Sequence, residues 1–250
     1  MSRVIVFGGH GKVALLLAPL LAARGDVPVG VIRDPAQADD VRASGGEPLV
    51  ADVEALDVDG IAALLAGADA VVWSAGAGGG DPARTRAVDR DAAIRSMDAA
   101  AHAGVRRYVM VSYSGSRPDH GVPEGDSFFA YAEAKAAADE HLRGTDLAWT
   151  IAAPSRLTLE PGTGRIAVIP EDRLGEPSQV PREDVAAVVA QALVSPASIG
   201  RTLRFSGGDT PIAEVLDAPP LRGRSRSGCP WLRAGWASEH DTPESLHLVE

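Results

Sequence analysis

Short apolar runs alternate with longer segments rich in Ala and Leu over residues 1–151. The strand-like runs lie at Val4–Phe7, Val27–Ile32, Glu47–Val50, Ala70–Ser74, Arg107–Ser112 and Leu147–Ile151. The segments between them predict helices at Lys12–Arg24, Pro35–Ser44, Val58–Ala66, Ala83–Ala103 and Ser127–Arg143. The strands lack a clean alternation of polar and apolar residues, which is typical of a parallel sheet covered on both faces. Because parallel strands need crossover helices, the pattern predicts an α/β fold with a doubly wound parallel sheet, as in Rossmann domains.

The alternation loosens after Ile151, where Pro- and Gly-rich loops surround one short apolar run. That run and the elements predicted after it (helix, strand, short helix) lie at Ile166–Ile169, Arg182–Val194, Thr202–Phe205 and Ile212–Leu216. From Pro219 onward the sequence has no period and many turn formers, which predicts a poorly ordered tail at 219–250. We therefore expect a single Rossmann-type domain over residues 1–218, in which residues 151–218 form a smaller substrate-side part.

Charge and cysteine content exclude some classes of function. The chain has a formal net charge of −10, and nucleic-acid binding needs a basic footprint that an acidic surface does not offer. The single cysteine, Cys229, cannot form an internal disulfide, which favours a reducing compartment. The first residues lack the apolar core of a signal peptide, and no uncharged apolar run is long enough to span a bilayer. We expect a cytoplasmic protein with no membrane partner, and with no metal because its histidines lack ligand spacing.

Three glycines lie between the first predicted strand and the first predicted helix. Gly8, Gly9 and Gly11 stand where a Rossmann sheet meets a dinucleotide, and the following helix offers unpaired N–H groups and a positive dipole end. Gly8 would permit the turn, and Gly11 would let the backbone approach a diphosphate. An ordinary tight turn is the alternative, but the strand–turn–helix context favours dinucleotide binding.

The end of the second strand indicates which dinucleotide is bound. The sequence VGVIRDP places Arg33 there, and a guanidinium suits the 2′-phosphate of NADP, whereas NAD sites usually carry an acidic residue that holds the ribose diol. Arg33 therefore favours NADP over NAD. Asp34 directly after it keeps NAD open, and a surface arginine paired to Asp34 or Asp39 is the alternative without any ligand.

Several motifs together resemble one family. VFGGHGKVA, VIRDP, VVWSAG and GVRRYVMVSYSG resemble the atypical short-chain dehydrogenase/reductases, in particular the NmrA-like NAD(P)H-binding proteins and the biliverdin reductase B-like flavin reductases. The later segments REDVAAVVAQAL and GRTLRFSGGDTPIAEVL resemble that family's last helix and its final strand and helix. The resemblance covers about Arg3 to Leu216 and implies a Rossmann fold with a nicotinamide cofactor.

The resemblance also implies cofactor roles by position. The residues expected to line the diphosphate are Gly8, Gly9, His10, Gly11, Lys12 and Val13. Arg33 would meet the 2′-phosphate, and the residues expected at the adenine and then at the nicotinamide-side ribose are Asp52, Val53, Ser74, Ala75 and Gly76. For Asp52, a role as a helix or turn cap is an equally open alternative.

Tyr131 and Lys135 lie four residues apart in a predicted helix and therefore share one of its faces. Short-chain dehydrogenases use such a pair, in which tyrosine exchanges a proton while the lysine ammonium favours the phenolate. Ser112 and Ser114 follow the fifth strand, and either would orient a carbonyl. The alternative is a structural Tyr131, with Lys135 paired to Asp139.

These features support two functions of different kinds. The first is an NADPH-dependent oxidoreductase that reduces a small carbonyl, quinone or flavin-like acceptor. The second is a non-catalytic NADP(H) sensor that regulates a partner. A nucleotide-sugar epimerase is disfavoured, because the chain after residue 150 is short for a sugar-nucleotide domain. We expect a small-molecule substrate, and a monomer and a homodimer both stay open.

Overall fold

The computed structural model describes residues 1–78 and 81–218, and in this part of the chain nine strands form one sheet. Along the chain, the strands of this sheet and of a smaller one are β1 (Arg3–Phe7), β2 (Val27–Ile32), β3 (Glu47–Val50), β4 (Ala70–Trp73), β5 (Arg107–Val111), β6 (Ala148–Pro154), β7 (Arg156–Thr158), β8 (Arg165–Val168), β9 (Gln179–Pro181), β10 (Arg201–Gly207) and β11 (Thr210–Pro211). All six strands predicted before residue 152 are present, with bounds shifted by one to three residues at some ends.

The order of the large sheet is β11-β8-β10-β6-β5-β4-β1-β2-β3. Seven neighbouring strands, from β10 to β3, run parallel, and β8 and β11 add an antiparallel edge. The chain starts in the middle of the sheet and winds outward in both directions, so the strand order reverses between β1 and β4. Ligands of doubly wound sheets bind at this switch point, outside the carboxyl ends of the strands. The predicted doubly wound Rossmann fold is confirmed.

Helices cover both faces of the sheet. Their bounds are α1 (Lys12–Ala23), α2 (Ala38–Ala43), α3 (Val58–Leu64), α4 (Pro82–Thr85), α5 (Ala93–His102), α6 (Phe129–Arg143), α7 (Arg182–Val194) and α8 (Ile212–Asp217). The helix predicted at Ala83–Ala103 is in fact α4, a π-helical stretch at Arg86–Ala92, and α5. Such π-helical turns are frequent at functional sites.

Two hydrophobic cores lie on the two faces of the sheet. Successive side chains of a strand point to opposite faces, so Val4 and Val6 of β1 join one core while Ile5 and Phe7 join the other. All four are almost completely buried. Both faces of the central strands are therefore apolar, which explains the missing polar alternation in the sequence.

The loops expected after β6 contain regular structure. Residues Arg156–Thr158 (β7) pair in parallel with Gln179–Pro181 (β9) to form a separate two-stranded sheet. Each strand has only three residues and lies among Pro and Gly, so the sequence contains no apolar run that would predict it. This small sheet brings residues from the two loops to the carboxyl end of β6, beside the substrate-side cavity described below.

The described residues form one compact unit. The predicted poorly ordered tail at 219–250 lies outside the described residues, as do positions 79 and 80. No helix in the described ranges is long and apolar enough to cross a membrane.

Candidate cofactor and substrate site

The turn between β1 and α1 packs against its neighbours at backbone distance. Gly8 has φ +78°, and a Cβ there would lie 2.6 Å from the Cα of Ala75, after β4. A Cβ on Gly9 would lie 2.5 Å from the Cα of Gly30 in β2. Neither position accepts a side chain, so the glycines set the close approach of three neighbouring chain segments at the carboxyl edge of the sheet.

No side chain of the first turn of helix α1 neutralises the positive end of the helix dipole at this glycine turn. Its N-cap residue Gly11 provides no side-chain hydrogen bond, and its first turn contains no acidic residue. The first N–H groups of a helix have no intrahelical acceptor and mark its positive end, so this terminus is suited to bind an anion. Lys12 is exposed on the first turn, whereas Val13 is buried in the core.

A cleft of about 380 Å³ opens at the carboxyl ends of β1 to β4. Of the predicted cofactor residues, its wall includes Gly8, His10, Gly11, Arg33, Asp52, Val53, Ser74, Ala75 and Gly76. Gly9, Lys12 and Val13 are not part of this wall. Gly9 instead donates its N–H to the carbonyl of Val31 at 2.9 Å, which ties the turn to β2.

Arg33 does not form either of the surface pairs considered from the sequence. Its Nη1 donates to Oε1 of Glu54 at 3.0 Å. Asp34 instead caps the turn after β2 by accepting the N–H of Ala36 at 2.9 Å. Oδ1 of Asp34 thus closes a local turn while the exposed residue also lines the cleft, so its contacts do not distinguish NADP from NAD.

Asp52 has the capping role considered for it, and its contact with the adenine stays a prediction. Its Oδ1 accepts the N–H of Glu54 at 3.0 Å, which closes a local turn, and the residue also lines the cleft. His10 lines the same cleft and contacts Oδ2 of Asp40 at 2.8 Å.

Sequence analysis missed a buried carboxylate beneath the segment after β4. Asp89, in the π-helical stretch, is 2% exposed and accepts the N–H of Ala77 at 2.9 Å. A Cβ on Gly76 would lie 3.1 Å from its Oδ1. Burial raises the pKa of Asp89, and the nearby Lys135 charge opposes this. Asp89 thus holds the chain segment expected under the nicotinamide-side ribose, and only the three-dimensional fold reveals it.

A second, larger cavity of about 990 Å³ lies at the carboxyl ends of β5 and β6. Its wall carries three rings, of Tyr113, Phe128 and Tyr131, whose centroids are 5.1–5.5 Å apart. The wall also includes Ser112, Ser114 and Ser155. The Tyr113 hydroxyl and Ser155 Oγ are buried without a hydrogen-bond partner among the described residues. Buried polar atoms in native proteins are normally satisfied, so these two atoms are available to a ligand.

Tyr131 and Lys135 have different surroundings, and the expected support of a Tyr131 phenolate by Lys135 stays a prediction. Lys135 is 1% exposed, and its Nζ donates to the carbonyl of Val111 at 2.8 Å. Burial raises the pKa of the Tyr131 phenol, and the charges of Asp89 and Asp139 raise it further. Residues i and i+4 share a helix face, but α6 packs on the sheet so closely that Lys135 ends in the core while Tyr131 reaches the cavity. Tyr131 is therefore a neutral hydrogen-bond donor.

The two candidate serines differ in their surroundings. Ser112 Oγ donates to Oδ2 of Asp139 at 2.6 Å, and Ser116 Oγ donates to the same oxygen at 2.6 Å. The Ser112 hydroxyl is thus donated to a buried carboxylate, although Ser112 also lines the cavity, and its expected role towards a carbonyl stays a prediction. Ser114 lies on the cavity wall and is partly exposed, so it remains a candidate for orienting a carbonyl.

Lys135 compensates two buried acids. Asp139 is completely buried and Asp89 nearly so. Burial lowers the pKa of Lys135, and the charges of Asp139 and Asp89 oppose this shift. The lysine is therefore part of a buried charge cluster, here called the Lys135 cluster and defined as Asp89, Lys135 and Asp139. In the described part of the chain, no group of three or more His, Cys, Asp or Glu side chains is arranged to hold a metal ion.

Comparison with known proteins agrees with this geometry. Residues 8–196 match the family model for NAD(P)H-binding proteins. A UPF0659 protein of Schizosaccharomyces pombe is 34% identical over 244 residues, which cover 90% of this chain and 98% of that protein. A solved structure of a candidate NAD-dependent epimerase/dehydratase from Bacillus halodurans has a TM-score of 0.79 at 33% identity, covering 87% of this chain and 99% of its own. The solved structure of a Lactococcus lactis oxidoreductase has a TM-score of 0.75 at 28% identity, and the match covers 86% of this chain and 95% of that one.

The doubly wound sheet, the glycine turn and the cleft at the switch point define a dinucleotide-binding Rossmann protein. The chain belongs to the NAD(P)H-binding family, whose members are NAD(P)-dependent oxidoreductases and epimerases. The resemblance to the atypical short-chain dehydrogenase/reductases is thereby confirmed, and the chain binds a nicotinamide cofactor.

Proposed function

We propose that the chain is an NADPH-dependent oxidoreductase that reduces a small carbonyl, quinone or flavin-like acceptor in the aromatic cavity. The observation that carries this proposal is the position of the two cavities. The cofactor cleft ends at β4 and the aromatic cavity begins at β5, and these strands are direct neighbours in the sheet. A cofactor in the first and an acceptor in the second would meet at that boundary.

Bound NADPH would supply a hydride from its nicotinamide ring. The N–H groups at the start of α1 would hold the diphosphate, and Ser74, Ala75 and Gly76, supported by Asp89, would support the nicotinamide-side ribose. Residues of the aromatic cavity would exclude water and orient the acceptor. The neutral Tyr131 phenol would donate a hydrogen bond, or a proton, to the acceptor oxygen.

The cavity wall favours a planar acceptor with a polar edge. Three packed rings offer flat apolar contacts, and aromatic pairs gain about 0.5–1.5 kcal/mol beyond the area that they bury. Among the described residues the Tyr113 hydroxyl and Ser155 Oγ have no hydrogen-bond partner, and a small shift of the wall would let them bind the polar edge of such a molecule. Quinones, flavins and aromatic carbonyls combine these two properties.

One observation supports the NADP(H) sensor as a second candidate. Two of the four residues expected in the reaction donate to groups of the protein itself: Ser112 to Asp139 and Lys135 to the carbonyl of Val111. A protein with a cofactor cleft but with these donors already engaged would bind NADPH without efficient carbonyl reduction. This candidate predicts tight NADPH binding with no turnover.

Purified protein and NADPH, assayed with quinones, flavins and aromatic aldehydes, test the proposal through the loss of reduced-nicotinamide absorbance. Steady consumption with one of these acceptors is the expected result. Binding of NADPH without consumption favours the sensor. An epimerase returns its hydride in each cycle, so conversion of a sugar nucleotide without net cofactor consumption would contradict the oxidoreductase proposal.

The glycine turn provides a second prediction. We expect Gly11→Val to weaken NADPH binding by more than about tenfold, or ~1.4 kcal/mol, because the branched side chain takes the space of the diphosphate. A Cβ on Gly11 would already lie 3.0 Å from the Gly8 carbonyl. Titration of NADPH measures the affinity, and the melting temperature shows whether the fold survives. Gly125→Val is the control, since a Cβ there has no neighbour within 4 Å. Unchanged affinity in Gly11→Val would mean that the turn is only structural.

A further inference from the structure

Two arginines from different segments meet at one carboxylate at the edge of the cofactor cleft. Arg33 follows β2, and its Nη1 lies 3.0 Å from Oε1 of Glu54. Arg84 belongs to α4, and its Nε lies 3.3 Å from the same oxygen. All three residues line the cleft. The sequence does not predict that Glu54 and Arg84 contact Arg33, because they lie 21 and 51 positions after it in the chain.

Hydrogen bonds fix the backbone around Glu54, so the place where Arg33 and Arg84 contact its carboxylate is defined by the fold. The Glu54 N–H donates to Asp52 at 3.0 Å, and its carbonyl accepts Nη2 of Arg95 at 3.3 Å. Arg84 is fixed as well, since its Nη1 donates to the carbonyl of Ala77 at 3.2 Å. The Glu54 side chain is 25% exposed, and the two arginine side chains are 54% and 38% exposed. Glu54 is thus the least exposed of the three side chains, and an anion entering the cleft would reach both guanidiniums from their exposed sides.

The charge balance of this trio favours an incoming anion. Within the trio, two guanidiniums and one carboxylate leave a net charge of +1, and a single carboxylate oxygen serves both arginines. Asp34 and Asp52 also line the cleft, and each accepts a backbone N–H instead of an arginine. A phosphate monoester carries up to two negative charges and three acceptor oxygens, and arginine forks bind such groups through two parallel hydrogen bonds. A phosphate can thus satisfy both arginines better than Glu54 does.

We propose that Glu54 is a resident counter-ion which the 2′-phosphate of NADPH displaces from Arg33 and Arg84, and that Arg84 is a second ligand of this phosphate. This inference rests on the proposed preference for NADPH. Glu54 then keeps the arginines aligned before the cofactor arrives and lowers the affinity for it by competing for the same donors. NADH lacks the phosphate and leaves the trio intact.

Titrations with NADPH, NADH, adenosine 2′,5′-bisphosphate and AMP test the proposal. Glu54→Gln keeps the size and hydrogen bonding of the side chain but removes the charge, so we expect about three- to tenfold tighter binding of NADPH and the bisphosphate. Arg84→Ala should weaken the same two ligands by about tenfold or more. NADH and AMP should change little in both variants. The control variants are Glu47→Gln and Arg42→Ala, whose ion pairs with Arg3 and Asp39 lie outside the cleft.

The outcomes separate this inference from the proposed function. If the wild type binds NADH as tightly as NADPH, the proposed cofactor choice is wrong and the counter-ion inference is overturned with it. If the wild type prefers NADPH but Glu54→Gln behaves like Glu47→Gln, only the counter-ion inference is overturned. Weaker NADH binding in Glu54→Gln would assign Glu54 to the ribose hydroxyls and would also overturn it. An unchanged NADPH affinity in Arg84→Ala would exclude Arg84 as a phosphate ligand.

Discussion

Replacing Tyr131 with phenylalanine is expected to slow carbonyl reduction by about 10²–10⁴-fold, the range over which one positioned general acid contributes. The substitution removes one hydroxyl and keeps the ring, whose centroid lies 5.5 Å from that of Tyr113 and 5.1 Å from that of Phe128. Packing and NADPH affinity should therefore stay close to those of the wild type. A quinone or flavin can take its proton from water, so turnover of such acceptors should survive. Steady-state rates with one acceptor of each class measure the difference.

Tyr108→Phe is the matched control for Tyr131→Phe. The Tyr108 hydroxyl is completely buried and bonded to Ser96 at 2.7 Å, on the core side of β5 rather than at the cavity. Its loss should lower stability without selective loss of carbonyl reduction. Full carbonyl activity in Tyr131→Phe would show that Tyr131 is structural and that the protein works by positioning donor and acceptor alone.

Lys135→Met is expected to lower the free energy of unfolding by about 3–5 kcal/mol, the usual cost of removing one partner from a buried ion cluster. Methionine fills a similar volume, so the loss arises mainly from the uncompensated acids Asp89 and Asp139. Burial already raises the pKa of both acids, and without the ammonium they would bind protons more readily. Denaturant unfolding at neutral pH measures the change.

A second substitution distinguishes charge from packing in the Lys135 cluster. Asp139→Asn on the Lys135→Met background removes one of the uncompensated charges and should restore part of the lost stability. Arg42→Met serves as the control, because its partner Asp39 is almost fully solvent-exposed and such pairs contribute only about 0–1 kcal/mol. If Lys135→Met unfolds at the same denaturant concentration as Arg42→Met, the proposed compensation is wrong.

The fold could be predicted from the sequence because local and tertiary signals agree. The β-branched runs of β1, β2 and β4 are buried on both faces, and the glycine turn has backbone contacts that only glycine permits. These features follow from neighbouring residues. The small sheet of β7 and β9 could not be predicted, since three-residue strands among Pro and Gly carry no periodic pattern.

The site was only partly predictable, because several of its contacts join residues that are far apart in the sequence. Arg33 was found from its place at the end of β2, but its partners Glu54 and Arg84 come from other segments. Asp89 lies inside a helical stretch whose sequence gives no sign that one carboxylate is buried beneath the segment after β4. The spacing of Tyr131 and Lys135 correctly places them on one helix, but spacing alone does not show that the ammonium turns into the core.

The central claim is that this cleft binds NADPH in preference to NADH. Trp73, buried at the end of β4 directly before Ser74, provides an intrinsic fluorescence signal for titration of both cofactors. One charge-assisted contact to a phosphate contributes about 1.5–3 kcal/mol, so we expect roughly 10- to 100-fold tighter binding of NADPH. Arg33→Ala should lose most of that preference and leave NADH binding nearly unchanged. Equal affinities of the wild-type protein for NADPH and NADH would contradict the account.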